Sequence, residues 1–243
     1  MKRGLDLALY SVIKKEHEYW LVDQIKHSEV PNERYLQELV ELLSEWHENQ
    51  CKYLSLLMDQ ENETWLLGHG FYKVSSIVEY ACSLDGNFET EAGIDIESLA
   101  ESDMDDENFA KLYERCKSGS ANKNNLFTMK QIMESLENEL GSNWRSNCHI
   151  FKKDGQPIGI SIPVIENGTE DEGRLFYFGV IPEMREKGFG TIFHRLSLGL
   201  LKNMHAASYV GSTDENNVHM IHVFERNGCN LRDKKGIYRI NQE

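Results

Sequence analysis

The sequence predicts an α+β chain, layered α/β/α, with a mixed central sheet flanked by helices, and three observations predict it. An apolar run, RLFYFGV at 174–180, enters a loop carrying Gly188 and Gly190, and a long periodic run from Thr191 to Met204 leaves it, which reads as strand, loop, helix. Within NCHIFKKDGQPIGISIPVIE at 147–166, two apolar runs flank Asp154-Gly155, a strong short-range hairpin signal. Residues 1–85 repeat the pattern of the C-terminal part, and an internal repeat sets the architecture before any single element does.

Taken in order, the second part begins with a strand in AGIDIESL at 92–99. A helix in SDMDDENFAKLYERC at 102–116 follows, with Ser102 near its cap, and then a helix in TMKQIMESLENEL at 128–140. After the hairpin come the strand RLFYFGV, the glycine loop and its helix, a strand in ASYVGST at 207–213, a helix in ENNVHMIHVFERNG at 215–228, and a last strand reaching Ile240. The order is βααβββαβαβ. In the first part, Pro31-Asn32-Glu33-Arg34 stands like Pro182-Glu183-Met184-Arg185, and YLQELVELLSEW is the helix that follows. CKYLSLLM and ENETWLLGHGFYKV then mirror ASYVGST and ENNVHMIHVFERNGCN. The proline-to-glycine spacing is 39 in the first copy (Pro31 to Gly70) and 46 in the second (Pro182 to Gly228). The organisation expected is a degenerate partial domain at 1–85, an acidic linker at 86–93 and a complete domain at 94–243.

Composition excludes several classes. A net charge of −14 on 243 residues repels nucleic acid and anionic membrane and favours cationic partners. No stretch approaches the ~20 continuous apolar residues of a membrane span, and the N-terminal basic tip lacks a signal-peptide core, so a cytoplasmic setting is expected. Five cysteines at 51, 82, 116, 148 and 229 form no Cys-x-x-Cys pair, which argues against a disulfide framework and against zinc. Ten of the 23 residues from Asp85 to Glu107 are acidic and none is basic, the pattern of a solvated linker.

The glycine loop, VIPEMREKGFGT at 180–191, is a candidate anion cradle, because glycines let backbone amides converge and the new helix adds unpaired N–H groups and its positive dipole end. A P-loop needs Gly-Lys followed by Ser or Thr, but Gly190 is followed by Thr191 and Ile192; a dinucleotide fingerprint needs a small residue at 193, where Phe stands. The six residues Arg185, Glu186, Lys187, Gly188, Phe189 and Gly190, with Val180 and Pro182 upstream, closely resemble the acetyl-CoA loop of the GCN5-related N-acetyltransferase (GNAT) superfamily. The element order is also the one that superfamily uses over its whole length. The first copy would be a partial GNAT-like unit that does not bind coenzyme A, since Tyr35, Leu36, Gln37, Glu38 and Leu39 follow Arg34 with no glycine.

The resemblance implies an acetyl-CoA-dependent N-acetyltransferase that transfers an acetyl group directly to a primary amine, with acetyl-CoA as donor and no metal. Amides from Arg185 to Thr191 would hold the pyrophosphate, those near Phe178 and Val180 would pair with the pantetheine arm and polarise the carbonyl, and Asn217 would contact the coenzyme. The tyrosine that commonly protonates the leaving thiolate is replaced by Phe224, which can only pack against the arm. Candidate catalytic groups are Glu172 as general base, with a water relay as the equal alternative because Arg174 sits nearer to where relatives carry a glutamate. Tyr177 or His222 is the candidate acid, with His219 three residues before His222, unless water serves or the thiolate leaves unassisted. A cationic amine suits the charge, and a homodimer is compatible with it. The alternative is an acetyl-CoA-binding sensor without turnover, which Phe224 and the degenerate first copy would suit.

Overall fold

The computed structural model describes residues 8–27, 29–88, 91–120 and 128–242. The first seven residues of the basic tip and residues 89 and 90 of the acidic linker lie outside the described residues. Contacts divide the chain into two compact units, one of Met1–Ile77 with Lys234–Glu243 and one of Val78–Asp233. The divisions fall inside two strands, β4 (Tyr72–Ser83) and β10 (Asn230–Asn241), and not at the acidic linker that the sequence suggested as the boundary. Each unit thus includes part of a strand that begins in, or returns from, the other stretch of sequence.

The first unit opens with an antiparallel hairpin of β1 (Tyr10–Lys15) and β2 (Tyr19–Gln24). The sequence reading assigned no strands here, because lysines and glutamates interrupt the alternation; most of β1 beyond Tyr10 is exposed. Next come α1 (Asn32–Glu48), β3 (Tyr53–Asp59) and the short α2 (Glu63–Gly68). Tyr35, Leu39, Leu43 and Trp46 recur at helical spacing on α1 and are its buried face, packing with Trp20, Leu54, Leu56 and Met58. β2 runs parallel to β3 through five pairs, Tyr19–Asp23 against Tyr53–Leu57, and the end of β10, Lys235–Asn241, closes antiparallel on β3.

The second unit has strand order β4-β9-β8-β7-β6-β5, with β5 (Ile94–Ser98), β6 (His149–Lys153), β7 (Gln156–Ile165), β8 (Glu172–Val180) and β9 (Ser208–Asp214). From β5 to β8 every pairing is antiparallel, and β8 to β9 is parallel. The helices are α3 (Asp106–Lys117), α4 (Met129–Leu140), the single turn α5 (Trp144–Asn147), α6 (Phe189–Asn203) and α7 (Val218–Arg226). The predicted α+β class and the order βααβββαβαβ are both found, with α5 as the addition.

Local chemistry explains the boundaries. The cap of α3 is Asp105, whose carboxylate accepts the Asn108 N–H at 2.8 Å, and not Ser102, whose hydroxyl donates to the Leu99 carbonyl three residues back. Thr128 and Gln131 form a reciprocal capping box on α4. The β6–β7 turn places Asp154 at φ 51° and Gly155 at φ 73°, the mirror-image turn that matches strand twist. Consecutive residues of β8 reach opposite layers: Tyr177 stacks on Tyr113 of α3 at 4.0 Å, and Phe178 meets His194 of α6 edge-on at 5.7 Å. The sheet is therefore sandwiched, and fully buried side chains such as Phe109, Phe151 and Phe193 each contribute about 1.5–3 kcal/mol of transfer free energy to its core.

Candidate functional site

Two backbone features of β8 open a cleft. Pro163 on β7 has no N–H to give the ladder, and the register slips there: Ile162 faces Tyr177 but Pro163 faces Leu175, leaving Phe176 as a bulged extra residue. On its other edge β8 pairs with β9 at Glu172–Ser208 and Gly173–Tyr209 and, among the described residues, no further. From Arg174 onward, that edge of β8 presents backbone groups without a strand partner. In the first unit the parallel pair β2 and β3 stays zipped through five residues.

The cleft ends at the glycine loop. Val180 leads into a 3-10 turn, Pro182–Met184, after which Glu186 adopts φ 60° and Gly188 φ 86°. The Arg185 N–H bonds to the Pro182 carbonyl, and those of Thr191 and Ile192 bond to Gly188. Among the described residues, the five N–H groups between, from Glu186 to Gly190, donate to no backbone carbonyl. Unpaired amides around left-handed residues at a helix N-terminus form an anion-binding nest. The chain makes room for it by length: α6 begins seven residues after Pro182, whereas α1 begins one residue after Pro31.

The two glycines differ. A Cβ on Gly188 would meet nothing within 4 Å, so Gly188 is required by its φ; a Cβ on Gly190 would lie 3.4 Å from the Val223 side chain of α7, an ordinary contact. Arg185 clamps the loop from beneath, with Nε donating to the Val180 carbonyl at 3.0 Å and Nη2 to the Cys116 carbonyl at the end of α3 at 2.9 Å. Lys187 is exposed and donates to the Glu183 carbonyl, and Phe189 turns into the core beside Phe193.

The remaining sequence candidates do not converge on one point. Glu172 has both oxygens engaged, Oε1 by the Arg174 guanidinium at 2.8 Å and Oε2 by Arg232 at 3.2 Å. Tyr177 lies in the layer of α3, and burial raises its phenol well above the ordinary range, with Cys116 adding to the effect. His219 and His222 are both exposed on α7, and no group of residues suited to a metal occurs among the described residues. Asn217 caps α7, accepting the Met220 N–H and donating to Thr213 Oγ1 at 2.9 Å. Phe224 is buried, stacked on Tyr80 of β4 at 5.3 Å.

Sequence reasoning missed His194. It stands on the apolar face of α6 amid Phe178, Tyr209 and Phe224, wholly buried, and burial pushes its pKa down to about 3, so it is neutral at physiological pH. Asn227 Nδ2 lies 3.1 Å from His194 Nδ1, which as acceptor puts the proton on Nε2, an atom with no partner. The helical period placed it on a buried face, but a histidine there carried no motif. Of the polar cluster where β8 leaves β9, the sequence pointed to Glu172 and Arg174 but not to their partners: Arg174 lies within reach of Glu79, Glu166 and Glu172, with Ser212 donating to Glu79 at 3.2 Å.

Comparison with known proteins agrees with this geometry. The model of the acetyltransferase (GNAT) family matches residues 106–229. No curated protein matches the chain. Among solved structures, a GCN5-related N-acetyltransferase from Sphaerobacter thermophilus superposes with a TM-score of 0.70 at 15% identity, over 98% of this chain and 82% of that one. A tandem GNAT protein from the clavulanic acid biosynthesis pathway, solved without AcCoA, gives 0.62 at 13% identity over 96% and 79%. A GCN5-related N-acetyltransferase from Kribbella flavida gives 0.60 at 12% identity over 92% and 82%. At these identities the likeness is one of fold.

Proposed function

Since the chain belongs to the acetyltransferase (GNAT) family, we propose that it is an acetyl-CoA-dependent N-acetyltransferase that acylates a primary amine, with the second unit as its donor site. The observation that carries the proposal is the run of five N–H groups from Glu186 to Gly190 that, among the described residues, donate to no backbone carbonyl, at the mouth of the slot where β8 parts from β9. Such a nest fits a diphosphate, and the unpaired edge of β8 fits the amide groups of a pantetheine arm.

Acetyl-CoA supplies the activated acyl group. The chain's residues then hold the donor and exclude alternatives. Phe178 and Val180 on β8 present backbone groups for the arm and the reacting carbonyl, Phe224 walls the slot, and Asn217 fixes the start of α7 beside it. Direct attack of the amine is proposed, and an acyl intermediate on Cys116 or Cys148 is disfavoured because burial pushes both thiols up to about 12, where little thiolate exists. The amine nitrogen bonds to the carbonyl carbon as the C–S bond breaks, and the proton lost from nitrogen passes to a carboxylate or to water. Glu166 and Glu172, gathered with Glu79 around Arg174 on the sheet face beside the slot, put carboxylates where a cationic acceptor would approach.

A panel of polyamines, aminoglycosides and lysine-bearing peptides, assayed for release of free coenzyme A thiol, tests the proposal. Turnover well above the uncatalysed rate on any amine supports it; saturable acetyl-CoA binding with no turnover across the panel favours a coenzyme sensor, the reading suggested by Phe224 in place of a hydroxyl-bearing residue. We infer further that the first unit arose as a degenerate copy, since both units run strand, helix, parallel strand, helix, strand, and that it binds no coenzyme because β2 and β3 stay paired.

A further inference from the structure

Two of the five cysteines meet inside the second unit. Cys82 lies near the end of β4, Cys229 immediately before β10, and their sulphurs are 3.2 Å apart although 147 residues separate them in sequence. Both are free thiols, packed in one apolar cluster with Val78, Tyr80, Met220 and Phe224. They differ in exposure: Cys82 is partly open to solvent, and Cys229 is buried at 3%. They differ in character too, since the Cys229 thiol donates to Cys82. That hydrogen bond holds the Cys82 thiol below its usual range despite partial burial, and raises that of Cys229.

We propose that Cys82 and Cys229 form an oxidisable dithiol site, in which a hydroperoxide reacts at Cys82 and the two sulphurs close to an intramolecular disulfide. The Cys82 thiolate attacks the peroxide oxygen, the O–O bond breaks, and hydroxide leaves, giving a sulfenic acid. The Cys229 sulphur then attacks the Cys82 sulphur, expelling the hydroxyl as water and losing its own proton. Overall, two thiols and one hydrogen peroxide become one disulfide and two waters. Closing the gap to a bond of ~2 Å needs about 1 Å of sulphur movement. The Cys229 N–H bonds to the Phe224 carbonyl at 3.0 Å, so the bond would tie β4 to the end of α7.

Hydrogen peroxide added to the full-length protein, followed by denaturation, alkylation of free thiols and peptide mapping, tests the site. The expected result is a loss of two alkylatable thiols, a linked Cys82–Cys229 peptide and reversal by dithiothreitol. In Cys229→Ser, Cys82 should stop at the sulfenic acid and be trapped by dimedone; Cys82→Ser should keep all its thiols under the same dose. Five alkylatable thiols after peroxide, a link through Cys51, Cys116 or Cys148, or equal thiol loss in Cys82→Ser would overturn the proposal. The wild-type peptide map decides by itself should either variant fail to fold.

Discussion

Replacing Gly188 by valine isolates the loop's backbone as the donor site. Gly188 sits at φ 86° and ψ −11°, and the space around its missing Cβ is empty to 4 Å, so the penalty at the Cβ arises from conformation. Holding an L-residue in the left-handed region costs about 1–2 kcal/mol, offset by roughly 0.4–1 kcal/mol from a stiffer unfolded chain. If the loop held its shape, the net loss would be about 1 kcal/mol, a fall in Tm of about 2–4 °C. The loop is exposed and can relax instead to negative φ, which swings the N–H groups of Gly188 and Phe189 away from the point the nest shares. Hydrogen bonds to a charged partner contribute about 1.5–3 kcal/mol each, so two lost bonds weaken acetyl-CoA binding by about 3 kcal/mol or more, ~100-fold. Calorimetric titration of the variant, with its thermal unfolding measured in parallel, gives both numbers. Unchanged affinity in a folded Gly188→Val protein would refute the assignment of these amides to the coenzyme.

Other outcomes follow from the same contacts. Glu186 is a non-glycine at φ 60°, so Glu186→Gly should raise stability by up to about 1 kcal/mol in denaturant titration without weakening coenzyme binding; a loss of stability would contradict the strain argument. Arg185→Ala removes two charge-assisted bonds and strands the Val180 and Cys116 carbonyls, an expected cost of about 3 kcal/mol, and Arg185→Lys should not restore it because one ammonium cannot reproduce the planar fork. His194 titrates at about 3 in the native state against 6.5 when exposed, so the unfolded chain takes up the proton first. Its contribution is complete above pH ~6.5 and is lost as pH falls toward 3, amounting to about 2 kcal/mol by pH 5. Denaturant midpoints for wild type and His194→Met at pH 7.5 and pH 5 check this: the variant should lose that part of the slope, and an identical slope would place the acid sensitivity elsewhere.

The second unit was legible because its signals are local. The Asp154-Gly155 turn, the helix at 128–140 and the glycine loop each follow from residues a few positions apart, and the structure has each of these elements where the pattern put it. What escaped depends on residues distant in sequence. Nothing near Glu172 announces that Arg232 will share its carboxylate with Arg174, and nothing near Phe224 announces Tyr80 of β4 beneath it. β1 and β2 were missed because an edge hairpin rich in charged residues carries weak alternation. The acidic linker looked like a boundary by composition, but compactness divides the chain where β4 and β10 run, and strand pairing between such remote segments leaves no trace in either one alone.

The central claim is that one coenzyme site exists, built from the amides of residues 186–190. Titration of the full-length protein with acetyl-CoA in a calorimeter tests it most directly. A single site per chain, lost in Gly188→Val and accompanied by a concentration-dependent rise in Tm in the wild type, is the predicted result. Absence of binding, two sites per chain, or one site indifferent to Gly188→Val would contradict it.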